Sequence, residues 1–321
     1  MEDWSERQLS LFQVDQKKGK IMNSVLVVGS VAYDSVETPE QKVENSLGGS
    51  AIYFSAAASI FAPVKVVGVV GEDFNWNDIA FLKEKGVDVQ GIQQVPGKTF
   101  RWGGRYEQDM NYRTTLYTHL NVFETFDPQI PEPYKNVPFL FLANIQPELQ
   151  QCVLAQMNRP RFTMLDTMNF WIEGRYDALI ETIKMVDGIV INEEEALELA
   201  RETNLFRAMK KLTALGPRVI IVKKGEHGAV LSVNNSYFFA PAYPVENVVD
   251  PTGAGDSFAG GFMGYLTQQG EVTEGNLRRA VIYGSAVASF CVEGFSVSRL
   301  RELKRNELDE RVAAFKRLVE F

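Results

Sequence analysis

Short apolar runs alternate with helix-like segments along most of this chain, and that alternation limits its fold more than any other feature. Each run has the length of a strand and little polar content, which is typical of strands buried on both faces of a parallel sheet. The runs cover residues 25–31, 65–70, 139–143, 162–165, 188–191 and 218–223. The pattern predicts an α/β fold with a doubly wound, mostly parallel sheet and helices on both faces.

One aromatic-rich stretch interrupts this alternation. Residues 87–95, 99–107 and 112–120 have the period of antiparallel strands and include Phe100, Trp102 and Tyr106. They predict antiparallel strands inserted around residues 87–120, which form either an excursion of the sheet with its own small cluster, a dimer contact, or a lid over the substrate. The main domain is expected to cover residues 23–321. Residues 1–22 are polar and charged, and they are interpreted as a disordered or loosely docked N-terminal extension.

Composition and charge exclude several classes of function. The chain has 321 residues, a formal net charge of −8 and no block of Lys or Arg, which argues against a general nucleic-acid binder. No apolar run approaches the ~20 residues of a membrane span, and the first residues lack a signal-peptide core. Cys152 and Cys291 have no zinc or redox spacing. They are expected to be two buried, reduced thiols of a cytoplasmic protein.

The segment Asp250-Pro-Thr-Gly-Ala-Gly-Asp256 carries the strongest functional signal. Gly253 and Gly255 let the backbone turn tightly and point N–H groups inward. The apolar helix that follows adds unpaired N–H groups and the positive end of its dipole, which together predict an anion site. Asp256 would repel an anion there. It makes sense as a base that takes a proton from the attacking hydroxyl in phosphoryl transfer, although a helix N-cap is the simpler interpretation.

Two further regions lie beyond the carboxyl end of the first predicted strand, where open α/β sheets bind ligands. Asp34 is placed to accept hydrogen bonds from substrate hydroxyls, or it is a turn aspartate. Gly48 and Gly49 open a helix and permit close backbone approach to a ligand. A tight turn with Ser50 as N-cap explains the same residues equally well.

The anion-site segment resembles the C-terminal signature of the ribokinase-like (PfkB) carbohydrate kinase family, Asp-Thr-x-Gly-Ala-Gly-Asp, with Pro251 as a departure. The resemblance implies a ribokinase-like fold with a β lid. It also implies an ATP-dependent kinase that moves the γ-phosphoryl group of Mg-ATP to a sugar hydroxyl. Asp256 would then be the general base. The backbone N–H groups of Gly253, Ala254 and Gly255 would bind the developing negative charge.

On the acceptor side the resemblance is partial. The family has a sugar-binding aspartate at the place of Asp34 and paired glycines at the places of Gly48 and Gly49. Tyr53 stands where many sugar kinases have Asn, which leaves the identity of the acceptor open. Asn169 is a weaker candidate for a substrate contact, with a loop-structuring role as the alternative.

On the nucleotide side, Asn192 and Glu195 taken alone form an Asn version of the capping box. The resemblance adds that they order Mg²⁺ and the phosphates, with Glu195 acting on the metal through water. Lys223 falls where the family contacts the nucleotide, although a surface lysine is the alternative. The loop with Gly225 and Gly228 is implied to line the ATP site.

Other interpretations remain open from the sequence. A nucleoside kinase of the same fold would use Tyr53 and the aromatic lid to stack on a base. A non-catalytic regulator that binds nucleotide or sugar would share the fold but gain nothing from Asp256. The expected partners are a small-molecule sugar or nucleoside, and a homodimer through the lid. A monovalent cation near Asp250 is common in the family, although these residues by themselves do not indicate one.

Overall fold

A computed structural model describes residues 23–110 and 112–320 of the chain. The N-terminal extension predicted for residues 1–22 lies outside the described residues. The strands in the described part are β1 (Val25–Val28), β2 (Ala32–Glu37), β3 (Lys42–Gly48), β4 (Val64–Val70), β5 (Val87–Gln94), β6 (Phe100–Tyr106), β7 (Arg113–His119), β8 (Phe139–Leu142), β9 (Phe162–Leu165), β10 (Gly188–Asn192), β11 (Val219–Lys223), β12 (Ala229–Val233) and β13 (Ser236–Ala240).

A nine-stranded sheet forms the centre of the molecule, in the order β13-β12-β11-β10-β9-β8-β1-β4-β5. Its strands are parallel except at one edge, where β12 pairs antiparallel with β11 and β13. The chain runs outward from β1 to β4 and β5, and then returns to β8 on the other side of β1. This change of direction confirms the doubly wound sheet. It also places a ligand crevice beyond the carboxyl ends of the central strands.

Helices cover both faces of this sheet. The helices of the described residues are α1 (Ser50–Ala58), α2 (Ala80–Glu84), α3 (Pro147–Gln156), α4 (Asn169–Gly174), α5 (Tyr176–Ile183), α6 (Glu193–Ala200), α7 (Leu205–Ala214), α8 (Ala254–Gln269), α9 (Glu274–Cys291), α10 (Ser298–Glu302) and α11 (Arg305–Leu318). Alternate residues of each strand enter opposite cores. Val25 and Val27 pack with α1, α2 and α8–α11, whereas Leu26 and Val28 pack with α3–α7.

A second, four-stranded sheet has the order β3-β2-β6-β7, and we call it the small sheet. Two antiparallel hairpins, β2–β3 and β6–β7, join through a parallel pairing of β2 with β6. The small sheet was expected, but residues 87–95 do not belong to it. They form β5, which pairs in parallel with β4 at the edge of the large sheet. An edge strand covered on one face has the same alternating pattern as a hairpin strand, so periodicity could not separate the two.

The two cysteines differ in their exposure. Cys291 is buried, but Cys152 is exposed on α3, so the prediction of two buried thiols is wrong for Cys152. None of the helices in the described ranges combines the length and the apolar character that crossing a lipid bilayer requires.

Candidate active site

The loop of the predicted anion site, residues 250–253, leads directly into α8, and we call it together with the first turn of α8 the anion loop. Gly253 is the N-cap in the left-handed region at φ 76°, which favours glycine, and α8 begins at Ala254. Asp256 is the third residue of this helix, and no side chain caps the helix start. The interpretation of Asp256 as an N-cap is therefore wrong. Its carboxylate remains available beside the positive end of the helix dipole.

The backbone N–H groups of Ala254 and Gly255, both predicted to bind an anion, are not equally free to donate a hydrogen bond to one. The N–H of Ala254 donates to the Pro251 carbonyl at 3.1 Å, so it is already engaged in the turn. Gly255 lies in the first turn of α8, where an N–H has no acceptor within the helix. Gly255 is thus better placed than Ala254 to bind a phosphate oxygen.

Asp256 is partly accessible although protein surrounds it closely. Burial, together with the negative charge of Asp166, raises the pKa of this carboxyl to about 7, while Lys223 and Arg113 act in the opposite direction. A carboxyl with this pKa is present in both protonation states near neutral pH. That property suits a general base, which must accept a proton and then release it.

Lys223 occupies the centre of the polar cluster beside the anion loop. Its Nζ atom is 3.7 Å from Oδ2 of Asp166, and a Cβ atom added at Gly255 would lie 2.9 Å from the same Nζ. Burial alone would lower the pKa of this lysine, but the carboxyl groups of Asp166, Glu195 and Asp256 raise it. The ammonium group is therefore charged and faces the anion loop, so Lys223 is not a surface lysine.

Asp166 joins this cluster although the sequence analysis assigned it no role. It directly follows β9 and is buried, and burial raises its pKa while Lys223 lowers it. The signal was present in the sequence, because Asp166 ends a buried strand at the same edge of the sheet as Lys223.

Asn192 and Glu195 form the predicted capping box at the start of α6. Asn192 Oδ1 accepts the N–H of Glu195 at 2.8 Å, and Glu195 Oε2 accepts the N–H of Asn192 at 2.8 Å. Burial raises the pKa of the Glu195 carboxyl, although Lys223 opposes that shift. Across the described residues, no group of three or more His, Cys, Asp or Glu side chains is arranged to hold a metal ion.

Asp34 lies within β2 of the small sheet, opposite Ser46 and Trp102, and not in a turn. Its side chain packs directly on Gly48, where any Cβ atom would overlap the carboxylate, and it accepts the N–H of Gly49. Gly49 has φ 94° and is the N-cap of α1, so Ser50 is the first helical residue and not the cap. Gly48 is thus required by the contact with Asp34, whereas Gly49 is required by its positive φ and by the Ser30 carbonyl, which a Cβ atom there would overlap.

Asp34 and Asp256 belong to one electrostatic environment. Burial raises the pKa of Asp34 to about 7, and the charges of Asp250 and Asp256 contribute, while the Gly49 N–H and Arg113 lower it. Asp34 is only 5% exposed. The structure therefore brings together the two carboxylates that were predicted to bind the acceptor and to act as the base.

Tyr53 is a buried core residue that packs against the anion loop. Its ring covers the Cα atom of Gly253, only 1% of its surface is exposed, and its hydroxyl has no hydrogen-bond partner among the described residues. The ring is therefore not free to stack on a base, as the nucleoside-kinase interpretation proposed.

The small sheet adds contacts of Tyr106 and Arg113 that the sequence analysis did not predict. The hydroxyl of Tyr106 lies 3.1 Å from Oγ1 of Thr252, which is 146 residues away along the chain. The guanidinium of Arg113 lies beside that Tyr106 hydroxyl and 5.0 Å from the Trp102 ring centroid, and its charge acts on both Asp34 and Asp256. No local pattern points to these contacts, because their partners come from distant segments.

Three other predicted residues lie outside this cluster. The side-chain amide of Asn169 donates to Oε2 of Glu198 at 2.9 Å, which ties α4 to α6 and supports the loop-structuring interpretation. Gly225 and Gly228 form the turn between β11 and β12, with φ 54° and φ 88°. A Cβ atom at Gly228 would overlap the Ala240 carbonyl, so this glycine is required by close packing in the turn.

The sequence matches the family model described as pfkB family carbohydrate kinase over residues 22–302. Among curated proteins, a cytidine kinase from Thermococcus kodakarensis is 30% identical over 248 residues, which make up 75% of this chain and 88% of that protein.

Solved structures give the same fold. An E. coli protein named as a candidate ribokinase II, in complex with ATP and Mg²⁺, has a TM-score of 0.75 at 21% identity over 91% of this chain and 99% of that one. A fructokinase double mutant from Vibrio cholerae O395, with fructose, ADP and potassium ion bound, has a TM-score of 0.74 at 18% identity over 92% of this chain and 100% of that one. These likenesses confirm the ribokinase-like fold.

Proposed function

Because this chain belongs to the pfkB family of carbohydrate kinases and is an ATP-dependent phosphotransferase, we propose that Asp256 is its general base. The observation that carries this proposal is the position of Asp256. It lies in the first turn of α8, beside the anion loop, with its carboxylate unused in capping and its pKa raised by burial to about 7. Asp256 takes the proton of the acceptor hydroxyl as the hydroxyl oxygen bonds to the γ-phosphorus, and the bond from that phosphorus to the ADP oxygen breaks.

The γ-phosphoryl group lies in this proposal between the anion loop and Lys223. The N–H groups of Gly253 and Gly255 donate to its oxygens, and Lys223 supplies a positive charge from the side of β11. Such preorganised donors stabilise the charge that develops during transfer. Asp166 holds the ammonium group in place through the 3.7 Å contact.

We place the nucleotide on the side of α6 and the β11–β12 turn. Asn192, Glu195, Gly225 and Gly228 line this side in the proposal. Mg²⁺ usually keeps several waters and binds one or two carboxylates together with substrate phosphates, and Glu195 fits that role through water because its carboxylate lies buried next to Lys223. The metal ion would neutralise phosphate charge.

The potassium ion bound to the fructokinase supports a monovalent cation near Asp250. A cytoplasmic location, where ATP is available, belongs to the same proposal.

The acceptor occupies the side of the small sheet in this proposal. Asp34 accepts hydrogen bonds from sugar hydroxyls, and the backbone at Gly48 and Gly49 allows the sugar to approach closely. A free sugar is the first candidate. A nucleoside is the second, and the 30% identity to a cytidine kinase favours it, since a nucleoside carries the same kind of hydroxyl pair on its ribose.

An acceptor panel tests the proposal. ADP formation is measured with ATP and Mg²⁺ in the presence of ribose, fructose, cytidine, adenosine or inosine, and the phosphorylated product is identified by mass spectrometry. We expect ADP formation to require one of these acceptors and the product to carry phosphate on a hydroxyl. ADP formation that is independent of every acceptor would overturn the proposal. The ratio of kcat/KM for ribose and cytidine decides between a sugar and a nucleoside as the acceptor.

We also propose that two copies of the chain associate through the small sheet. Its edge strand β7 is largely solvent-exposed. Leu116 in this strand is 45% exposed, and Tyr112, which directly precedes the strand, is 71% exposed. An open strand edge with exposed apolar side chains is a ready surface for pairing with a second chain. Light scattering on a size-exclusion column tests this. The wild type is expected to elute as a dimer and Leu116→Glu as a monomer, whereas a monomeric wild type would contradict the proposal.

A further inference from the structure

The small sheet and the anion loop meet at a hydrogen bond that the proposed chemistry does not use. The Tyr106 hydroxyl lies 3.1 Å from Oγ1 of Thr252, and Tyr106 is only 7% exposed. Thr252 directly precedes Gly253, the N-cap of α8, and its own N–H donates to Oδ1 of Asp250 at 2.9 Å. A side chain of the small sheet therefore helps to fix the residue that enters the anion loop.

The same sheet carries the acceptor carboxylate. Asp34 lies on β2, and β2 pairs with β6, the strand that ends at Tyr106. On the other side of the anion loop, the Tyr53 ring covers the Cα atom of Gly253. Gly253 is thus held by packing from α1 and, through Thr252, by a hydrogen bond from the small sheet. Any displacement of the small sheet moves Asp34 and the Thr252 contact together.

We propose that Tyr106 is a positioning residue that couples the acceptor-binding sheet to the anion loop through Thr252. The inference rests on the proposed function, in which the acceptor binds Asp34 and the γ-phosphoryl group lies at the anion loop. When the acceptor holds the small sheet against the large sheet, the Tyr106–Thr252 bond keeps the Gly253 N–H directed at the γ-phosphoryl group. Without an acceptor this restraint is weaker, and transfer of the γ-phosphoryl group from ATP to water is correspondingly disfavoured.

Amide hydrogen exchange on the ligand-free protein tests the coupling without any assumption about the substrate. The variants are Tyr106→Phe and Thr252→Val, each of which removes one hydroxyl and little volume. Tyr117→Phe is the matched control, because Tyr117 lies on β7 of the same sheet and its ring contact is kept. A neutral hydrogen bond is worth about threefold to tenfold in a local opening equilibrium.

We therefore expect exchange in residues 251–257 to rise about threefold to tenfold in both variants and to stay at the wild-type rate in Tyr117→Phe. Thr252→Ser keeps the hydroxyl and is expected to stay near the wild-type rate as well. Unchanged exchange in Tyr106→Phe, or an equal rise in Tyr117→Phe, would overturn the proposal. Thermal unfolding of each variant shows whether the fold is intact.

A double-mutant cycle on turnover gives the second readout, with ribose and cytidine as probe acceptors. Tyr106→Phe and Thr252→Val are each expected to lower kcat about threefold to tenfold while the KM for ATP stays within about twofold. The double variant should lose less than the two single losses combined, because both variants remove the Tyr106–Thr252 bond, whereas Tyr106→Phe alone removes the contact with Arg113 and Thr252→Val alone the side-chain contact with Asp250. Additive losses would overturn the coupling. If the wild type transfers phosphate to none of the panel acceptors, the proposed function fails, and the exchange experiment still decides the coupling.

Discussion

At the scale of single residues, Asp34 and Asp256 both have a pKa raised to about 7, but they differ in what surrounds them. Asp34 packs on Gly48 and accepts the N–H of Gly49, whereas Asp256 lies near Lys223 and Asp166 at the start of α8. The surroundings of Asp34 include a backbone N–H donor and two glycines without side chains, which suits a polyhydroxyl ligand. The second has a cation beside an anion loop, which suits phosphoryl chemistry.

Replacing Asp34 with Asn is expected to impair acceptor binding selectively. A carboxylate has only acceptor sites, so exchanging one oxygen for an NH₂ group sets a donor against a sugar hydroxyl. Hydrogen bonds to charged groups are worth about 1.5–3 kcal/mol, which corresponds to a loss of about tenfold to hundredfold in kcat/KM for the acceptor. Saturation curves for the acceptor and for ATP on the purified variant measure this. If the acceptor curve does not move, or both curves shift equally, Asp34 does not bind the acceptor.

At the scale of elements, the first turn of α6 serves two tasks that one substitution can separate. Glu195→Gln keeps the capping box, because a glutamine oxygen can still accept the Asn192 N–H. It removes the negative charge next to the proposed Mg²⁺. We expect the Mg²⁺ concentration for half-maximal rate at fixed ATP to rise severalfold, at an unchanged unfolding temperature.

Glu194→Gln is the matched control for this experiment. It removes a charge from the same turn but from a side chain that takes no part in the capping box. An unchanged Mg²⁺ half-saturation in Glu195→Gln, or an equal change in both variants, would show that Glu195 is only structural.

The elements also show which parts of the structure a sequence can predict. The buried strands, the capping box at Asn192 and the glycine turn at Gly253 depend on neighbours a few residues away, and these predictions are confirmed. The assignment of β5 and the strand position of Asp34 depend on which distant segment pairs with them, and both were misjudged. The bond between Tyr106 and Thr252 spans 146 residues and has no local signature.

At the scale of the whole molecule, the buried carboxyl groups of the site should reduce stability as pH rises. Asp34 and Asp256 each have a folded-state pKa of about 7, above the ordinary value of 3.8 that applies on unfolding. The folded protein therefore binds protons more tightly than the unfolded chain. This contribution to stability is fully present below about pH 4 and is lost as pH rises through about 7.

The corresponding prediction compares Asp256→Asn with the wild type by thermal unfolding between pH 5 and pH 8 without nucleotide. Asparagine carries no charge, so the variant should be more stable than the wild type at pH 8, by about 1–4 kcal/mol, and the gap should close towards pH 5. Asp177→Asn, at an exposed position of α5, is the control and should show no such trend. A gap that stays constant over this pH range would contradict a raised pKa for Asp256.

The central claim is that this molecule is a phosphotransferase with Asp256 as its base, and the same Asp256→Asn variant tests it most directly. The measurement is kcat with the preferred acceptor of the panel, together with the affinity for ATP determined by calorimetry. The account predicts that kcat falls by about 10²–10⁴ while ATP affinity and the fold are retained, because only the proton acceptor is lost. A variant that binds ATP normally and keeps the wild-type kcat would contradict it.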